Sequence, residues 1–262
     1  MLRRAFAFLQ GLALLVVGWE LLSLFVHDGV VPGPLPVALV FGRLLATVLW
    51  KHAAATLART LVALVIAFVL AVPAGVALAR VRVLDMIFTP LNYLLYPVPK
   101  IALLPMILLL FGIGDFARVV LLVIVLYFQM LVSVRDGARS IPEEYIVSIS
   151  SLGAGRLGVL RYVIWPSLLP NLMTALRLGS ATALAVLFFS ETFFTKWGLG
   201  YFIMDAWMKV SYSEMYAGIV AMGGVGFLVF LGFELIEKRF CRWQQVAKAA
   251  EEHASVFTAR GR

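Results

Sequence analysis

Lys100 asks most for a chemical explanation, because it stands in Tyr96-Pro97-Val98-Pro99-Lys100-Ile101-Ala102-Leu103-Leu104-Pro105, within a long apolar run. An ammonium group in hydrocarbon costs roughly 2.5 kcal/mol or more and normally faces protein or water. Prolines interrupt the helical hydrogen-bond ladder, and irregular backbone at membrane depth survives where it is buried in protein or borders a cavity. Lys100 therefore has three readings. With Pro97 and Pro99 it lines a translocation path and favours anionic solutes; it forms an ion pair with Glu191; or it snorkels to the headgroups. Glu191 ends another apolar run and reads as an acceptor for backbone or hydroxyl donors, with direct solute contact as the alternative. Glu20, beside Trp19, reads as a helix–helix hydrogen-bonding residue.

Other chemistries lack their residues. His27, His52 and His253 lie far apart and no Cys/His ligand spacing occurs, so no metal site is expected and no cofactor is implied. Met204, Met208, Met215 and Met222 read as packing. There is no G-x-x-x-x-G-K-[ST] with which to cradle ATP phosphates, and neither G-x-S-x-G nor H-E-x-x-H. Enzymatic function is not expected. The single cysteine, Cys241, excludes a disulfide scaffold.

The elements that carry these residues are membrane helices. Hydrophobic residues make up 63% of the 262 and charged residues 14%, against roughly 45–50% and about 25% in soluble domains. Six continuous apolar segments, 5–26, 57–79, 84–111, 116–134, 175–194 and 215–236, are each long enough to cross about 30 Å of hydrocarbon. Closed barrels need short alternating strands, which are absent. The expected fold is all-α and polytopic with six transmembrane helices. Segment 5–26 follows Arg3 and Arg4 like a secretory signal, but no small-x-small site follows it, so it reads as an uncleaved first span. Gly218, Gly223, Gly224 and Gly226 in the last segment are expected to permit close helix packing.

The net charge of +8 sits in short clusters between apolar runs, which indicates membrane orientation and not nucleic acid. With the N-terminus inside, 14 of the 22 Lys and Arg residues fall in cytoplasmic segments, among them Arg80, Arg82, Arg135, Arg139, Arg156, Arg161, Lys238 and Arg239. Both termini are therefore expected in the cytoplasm. Three connections are long. Residues 28–56 lie outside and begin Val31-Pro32-Gly33-Pro34-Leu35-Pro36, too proline-dense to continue a helix. Residues 141–174 lie inside and end in Pro166 and Pro170. Residues 195–214 lie outside, with Trp197, Tyr201, Trp207 and Tyr212 suited to the interface. The division is a first helix with its extracytoplasmic segment (1–55), a core of five spans (56–242), and a cytoplasmic tail (243–262).

The inner loop has a clear local logic. Pro142 suits a first helical turn, Glu143 and Glu144 complement the positive helix end, and Gly153 is placed to end the helix in a left-handed conformation. A second short helix is expected over 156–166. The pair forms a cytoplasmic elbow between spans four and five.

At this elbow the chain resembles permeases of binding-protein-dependent ABC importers. Their loop reads Glu-Ala-Ala, three residues, Gly, nine residues, Ile, one residue, Leu-Pro. Aligned on Gly153 and Pro166, the Ile and Leu positions hold Val163 and Trp165, and the Glu-Ala-Ala positions hold Val147, Ser148 and Ile149. The triplet is lost; Ser151-Leu152-Gly153-Ala154 and Pro166 remain. Leu35-Pro36, His52, Arg59, the Tyr96–Pro105 stretch, Phe111-Gly112-Ile113-Gly114, Glu191 and Gly198-Leu199-Gly200 resemble the branch for nitrate, sulfonates, taurine, bicarbonate or thiamine precursors. The resemblance implies a type I importer bundle that pairs with a second copy of itself. It implies two cytoplasmic ATPase subunits docked at Glu143, Glu144, Val147, Ser148, Ile149, Gly153, Ala154 and Pro166, and an external solute-binding protein. It also implies a small anionic solute and a bacterial inner-membrane location. The rival readings are an ion-driven secondary transporter, which usually needs intramembrane acids and often inverted repeats, and an intramembrane protease, which needs a dyad within the spans.

Overall fold

The computed structural model describes residues 2–26 and 29–241, with the backbone alone for residues 2–5 and 8. Among these residues every regular element is helical. The expected cytoplasmic tail, 243–262, lies outside the described residues, as do His27 and His253. Helix α1 spans Leu2–Phe25. Helix α2, Pro34–Leu44, passes through a π-helical turn at Leu45–Leu49 into α3, Trp50–Arg80. The continuous stretch Pro34–Arg80 has 47 residues, a contour of roughly 70 Å at 1.5 Å per residue. The first helix does not continue through the proline-dense stretch 31–36, but a new helix begins within it and occupies the rest of the 28–56 connection. Pro34 opens the first turn, where a missing N–H has no partner to lose and the ring already fixes a helical φ. The prolines thus separate the first helix from a second one that starts at Pro34.

Helices α4, Arg82–Leu95, and α5, Leu104–Phe111, are joined by residues 96–99 and a 3-10 turn at Lys100–Leu103. The two arms are bent by 84°. Pro97 and Pro99 cause the break, since neither has an N–H to continue the helical ladder, and Pro99 itself is extended, with ψ 91°. The third apolar segment is thus a bent pair and not one straight helix. Helix α6, Asp115–Arg139, carries an acid in its first turn and a base in its last, both favourable to its dipole.

Helix α7 is Glu143–Ser151. Helix α8, Arg156–Val159, runs through a π turn at Leu160–Ile164 into α9, Trp165–Glu191, making one stretch of 36 residues. The second short helix expected for 156–166 is therefore the beginning of a long one. Pro166 cannot donate to the preceding turn, and the backbone widens there without stopping. Helices α10, Leu199–Met208, and α11, Tyr212–Phe240, complete the chain. Among the described residues four stretches are long and apolar enough to cross a membrane, the bent pair is a fifth candidate, and the apolar part of α1, Leu9–Phe25, is shorter.

Contacts divide the chain into two compact units, Met1–Arg59 with Leu187–Val225, and Thr60–Val186 with Gly226–Arg262. In the first, Trp19 Nε1 donates to the Pro32 carbonyl (3.0 Å) and its ring stacks on Tyr216 at 5.9 Å. In the second, Val72, Val134, Ala138, Ile164 and Leu168 form a core. A Cβ on Gly75 would stand 2.7 Å from Val134, and one on Gly137 2.5 Å from Asn171, so α6 approaches α3 and α9 closely. Of the glycines expected to permit packing, Gly218 and Gly226 abut Ile203 and Leu184, whereas Gly223 and Gly224 have nothing within 4 Å.

Candidate functional site

The elbow is built by local rules. The Ala154 N–H donates to the Ile149 carbonyl (3.2 Å) and the Gly153 N–H to the Ser150 carbonyl (3.0 Å). These are the paired bonds that close a helix through a left-handed residue, and Gly153 has φ +88° with open space where a Cβ would be. Ile146 and Ile149 turn inward against the Val72–Leu168 core. Glu143, Glu144, Val147, Ser148 and Leu152 are exposed, Leu152 at 84%. Ile149 therefore faces the protein's own core, and the bulk that replaces the Ala of the pattern is absorbed there. Pro166 lies in the first turn of α9.

An ion-pair cluster lies in the same unit. Asp85, in the first turn of α4, takes Arg135 at 3.0 Å and Arg139 at 2.5 Å, while Thr89 donates to it at 2.6 Å. Arg80, at the end of α3, donates to the Ala138 carbonyl at 3.0 Å. The end of α3, the start of α4 and the end of α6 are thus tied together beside the chain that leads into α7. Nothing in the sequence pointed to Asp85, because its arginine partners lie 50 or more residues away.

Lys100 Nζ donates to the carbonyls of Leu95 (3.2 Å) and Tyr96 (3.1 Å) and sits over the rings of Tyr96 and Phe128, 5.6 and 5.2 Å from their centroids. The helical partner of the Leu95 carbonyl would be the nitrogen of Pro99, which carries no hydrogen. The ammonium serves as the cap that proline denies. Residues 93–99 around it are exposed.

Glu191 belongs to the other unit and is fully buried. Arg59 Nη1 lies 2.5 Å from its carboxylate and also donates to the Trp197 carbonyl (2.8 Å). Thr56 Oγ1 (2.9 Å) and the Gly200 N–H (2.9 Å) donate to it as well. The Leu199 N–H donates to Thr56 Oγ1 (2.9 Å), and the Gly198 N–H to His52 Nδ1 (3.1 Å). Gly198 has φ +140°, and a Cβ on it would strike the Glu191 carboxylate. The Lys100–Glu191 ion pair, one of the three readings of Lys100, does not form: each charge has its partners in its own unit. Glu191 is an acceptor of hydroxyl and backbone donors as expected, but its cation is Arg59. The missed signal was the spacing of His52, Thr56 and Arg59, which puts three polar groups on one face of an apolar helix. At the far end of α10, Asp205 holds Lys209 at 2.6 Å and raises its pKa.

Comparison with known proteins bears on this arrangement. Residues 67–242 match the family described as binding-protein-dependent transport system inner membrane component. The chain belongs to that family. It is 32% identical over 195 residues to the taurine transport system permease protein TauC of Escherichia coli, covering 74% of this chain and 71% of that protein. It is 24% identical over 248 residues to the putative aliphatic sulfonates transport permease protein SsuC of Bacillus subtilis, covering 92% and 90%. An inward-facing structure of the MetNI methionine ABC transporter matches with a TM-score of 0.64 at 22% identity, over 73% of this chain and 95% of that one, a likeness of fold. The permease is a multi-pass inner-membrane subunit of an ATP-driven importer. It is not itself catalytic, ATP hydrolysis residing on a separate subunit. Family membership sets aside the secondary-transporter and protease readings.

Proposed function

We propose that this permease pairs with a second copy, couples two cytoplasmic ATPase subunits through α7, and passes a small anionic, sulfonate-like solute delivered by an external binding protein. The observation that carries the coupling assignment is α7 itself. It is a nine-residue helix closed at Gly153, backed by its own core, and presenting Glu143, Glu144, Val147, Ser148 and Leu152 outward. Motion imposed on that face would pass through residues 140–142 to α6, and from Arg135 and Arg139 to Asp85 and α4.

Both termini lie in the cytoplasm in this reading. Residues 1–55 form the first helix and extracytoplasmic segment, 56–242 the core with its coupling loop at 141–174, and 243–262 a cytoplasmic tail. Pro97, Pro99 and Lys100 line the path, a role supported by the exposure of the two prolines and the half-buried position of Lys100 beside them. Glu191 rigidifies the segment around Gly198 instead of meeting solute. The relatives named for taurine and aliphatic sulfonates support a sulfonate, whose negative charge suits Lys100.

The coupling assignment is tested by Gly153→Val in the assembled complex. A β-branched residue in the left-handed region costs roughly 1–2 kcal/mol, enough to unravel the end of α7 without a clash. Uptake should fall at least tenfold while the ATPase still co-purifies and hydrolyses ATP. Uptake at the unmutated rate would refute it.

A further inference from the structure

A cavity of 580 Å³ opens in the second unit between the last turns of α3 and the beginning of the α8–α9 helix. Its walls are apolar, with Val76, Leu160, Ile164 and Trp165 among them, and Trp165 is 41% exposed. Arg80 and Arg161 are also among the residues that line it. Both residues are exposed. Arg80 gives one hydrogen bond to the Ala138 carbonyl, and Arg161 lies 5.9 Å from the Tyr162 ring centroid. Among the described residues neither forms an ion pair, although Arg135, Arg139 and Arg177 of the same unit all do.

We propose that this cavity is a binding site for an acidic phospholipid, with an acyl chain against its walls and the phosphate between Arg80 and Arg161. Four features converge on that ligand. The walls exclude a polar solute, since nothing along them would replace its hydration. The volume suits a segment of hydrocarbon chain. Both arginines lie at the ends of membrane helices, Arg80 in the last turn of α3 and Arg161 in the second turn of the α8–α9 helix, which is the level of the headgroups. Basic pockets between spanning helices favour anionic headgroups, and Trp165 adds a ring suited to the interface. The site rests only on the chain spanning the membrane, and stands whether or not α7 docks an ATPase.

The consequence is a lipid wedge under the elbow. Ile164 and Leu168, which line the cavity, also belong to the core against which Ile146 and Ile149 of α7 pack. A bound chain would therefore brace the surface that supports α7.

The test uses the intact complex, stripped of lipid in detergent and titrated with phosphatidylglycerol or phosphatidylcholine of the same chains, with retained lipid counted by native mass spectrometry. Phosphatidylglycerol should be preferred by roughly thirtyfold, about fivefold for each guanidinium at a membrane surface. Arg80→Gln/Arg161→Gln should reduce the preference to near unity, and Arg80→Lys/Arg161→Lys should keep most of it. Ala77→Phe, which fills the cavity and leaves both charges, should lower retention of both lipids. Glycerophosphoglycerol, which has the headgroup and no chains, should fail to displace the bound lipid. Equal retention of the two lipids by the parent, or an undiminished preference in the double glutamine variant, would overturn the proposal. Displacement by the chainless headgroup would reduce the site to a phosphate site and likewise overturn it.

Discussion

At the scale of single residues, the Arg59–Glu191 pair shows how a membrane protein can keep a full charge out of water. Both side chains are buried, at 6% and 0% exposure, and the carboxylate also takes Thr56 and the Gly200 N–H. Breaking a buried pair leaves an uncompensated charge and costs roughly 3–5 kcal/mol, whereas replacing both partners with apolar groups is often neutral. Arg59→Met is therefore expected to lower the thermal stability of the detergent-solubilised complex severely, and Arg59→Met/Glu191→Leu to recover much of the loss. A double variant no better than the single one would show that Glu191 needs its charge for more than this pair. The sequence displayed both members without their partnership. They are separated by 132 positions, and only the fold decides which buried base meets which buried acid. Gly198 was legible as part of a Gly-Leu-Gly motif, but its reason was not: a left-handed backbone pressed against a carboxylate.

At the scale of elements, local signals were read well wherever the governing interactions span a few residues. The end of α7 is fixed by bonds among residues 149–154, and Gly153 announces it. Proline was the ambiguous letter. Pro97 and Pro99 break a helix, Pro34 begins one, and Pro170 is carried inside another; the difference lies in which carbonyls find other donors. At the α4–α5 bend the donor is Lys100, which serves two carbonyls at once. Lys100→Arg keeps donors and charge, while Lys100→Met removes both but preserves the apolar stem. If Lys100 also lines the path, the Met variant should reach the membrane and assemble, yet take up an anionic sulfonate at least tenfold more slowly, with Arg intermediate. A purely structural Lys100 would instead show loss of assembled complex in parallel with loss of uptake, measured by quantifying both in the same membranes.

At the scale of the whole molecule, the remaining question is which way the helices point, and the charges give the physical reason for one answer. Arg80, Arg82, Arg135, Arg139, Arg156 and Arg161 all lie at the helix ends adjoining α7, and short basic segments are retained on the cytoplasmic side. The segment from Trp197 to Lys209 is the counterpart, with Trp197 and Trp207 about half exposed in the manner of interfacial aromatics. Cysteine labelling with a membrane-impermeant maleimide distinguishes the two orientations. Native Cys241 is 2% exposed and so a poor reporter, which makes a Cys241→Ala background suitable. In that background a cysteine replacing Lys209, whose side chain is 66% exposed, should be labelled in intact spheroplasts. One replacing Val147, 60% exposed on α7, should react only after the membrane is opened, and only weakly while the ATPase subunits remain bound. Labelling of the Val147→Cys chain from outside would invert the molecule. It would remove the ATPase from α7 as well, since nucleotide is available on one side of the membrane alone.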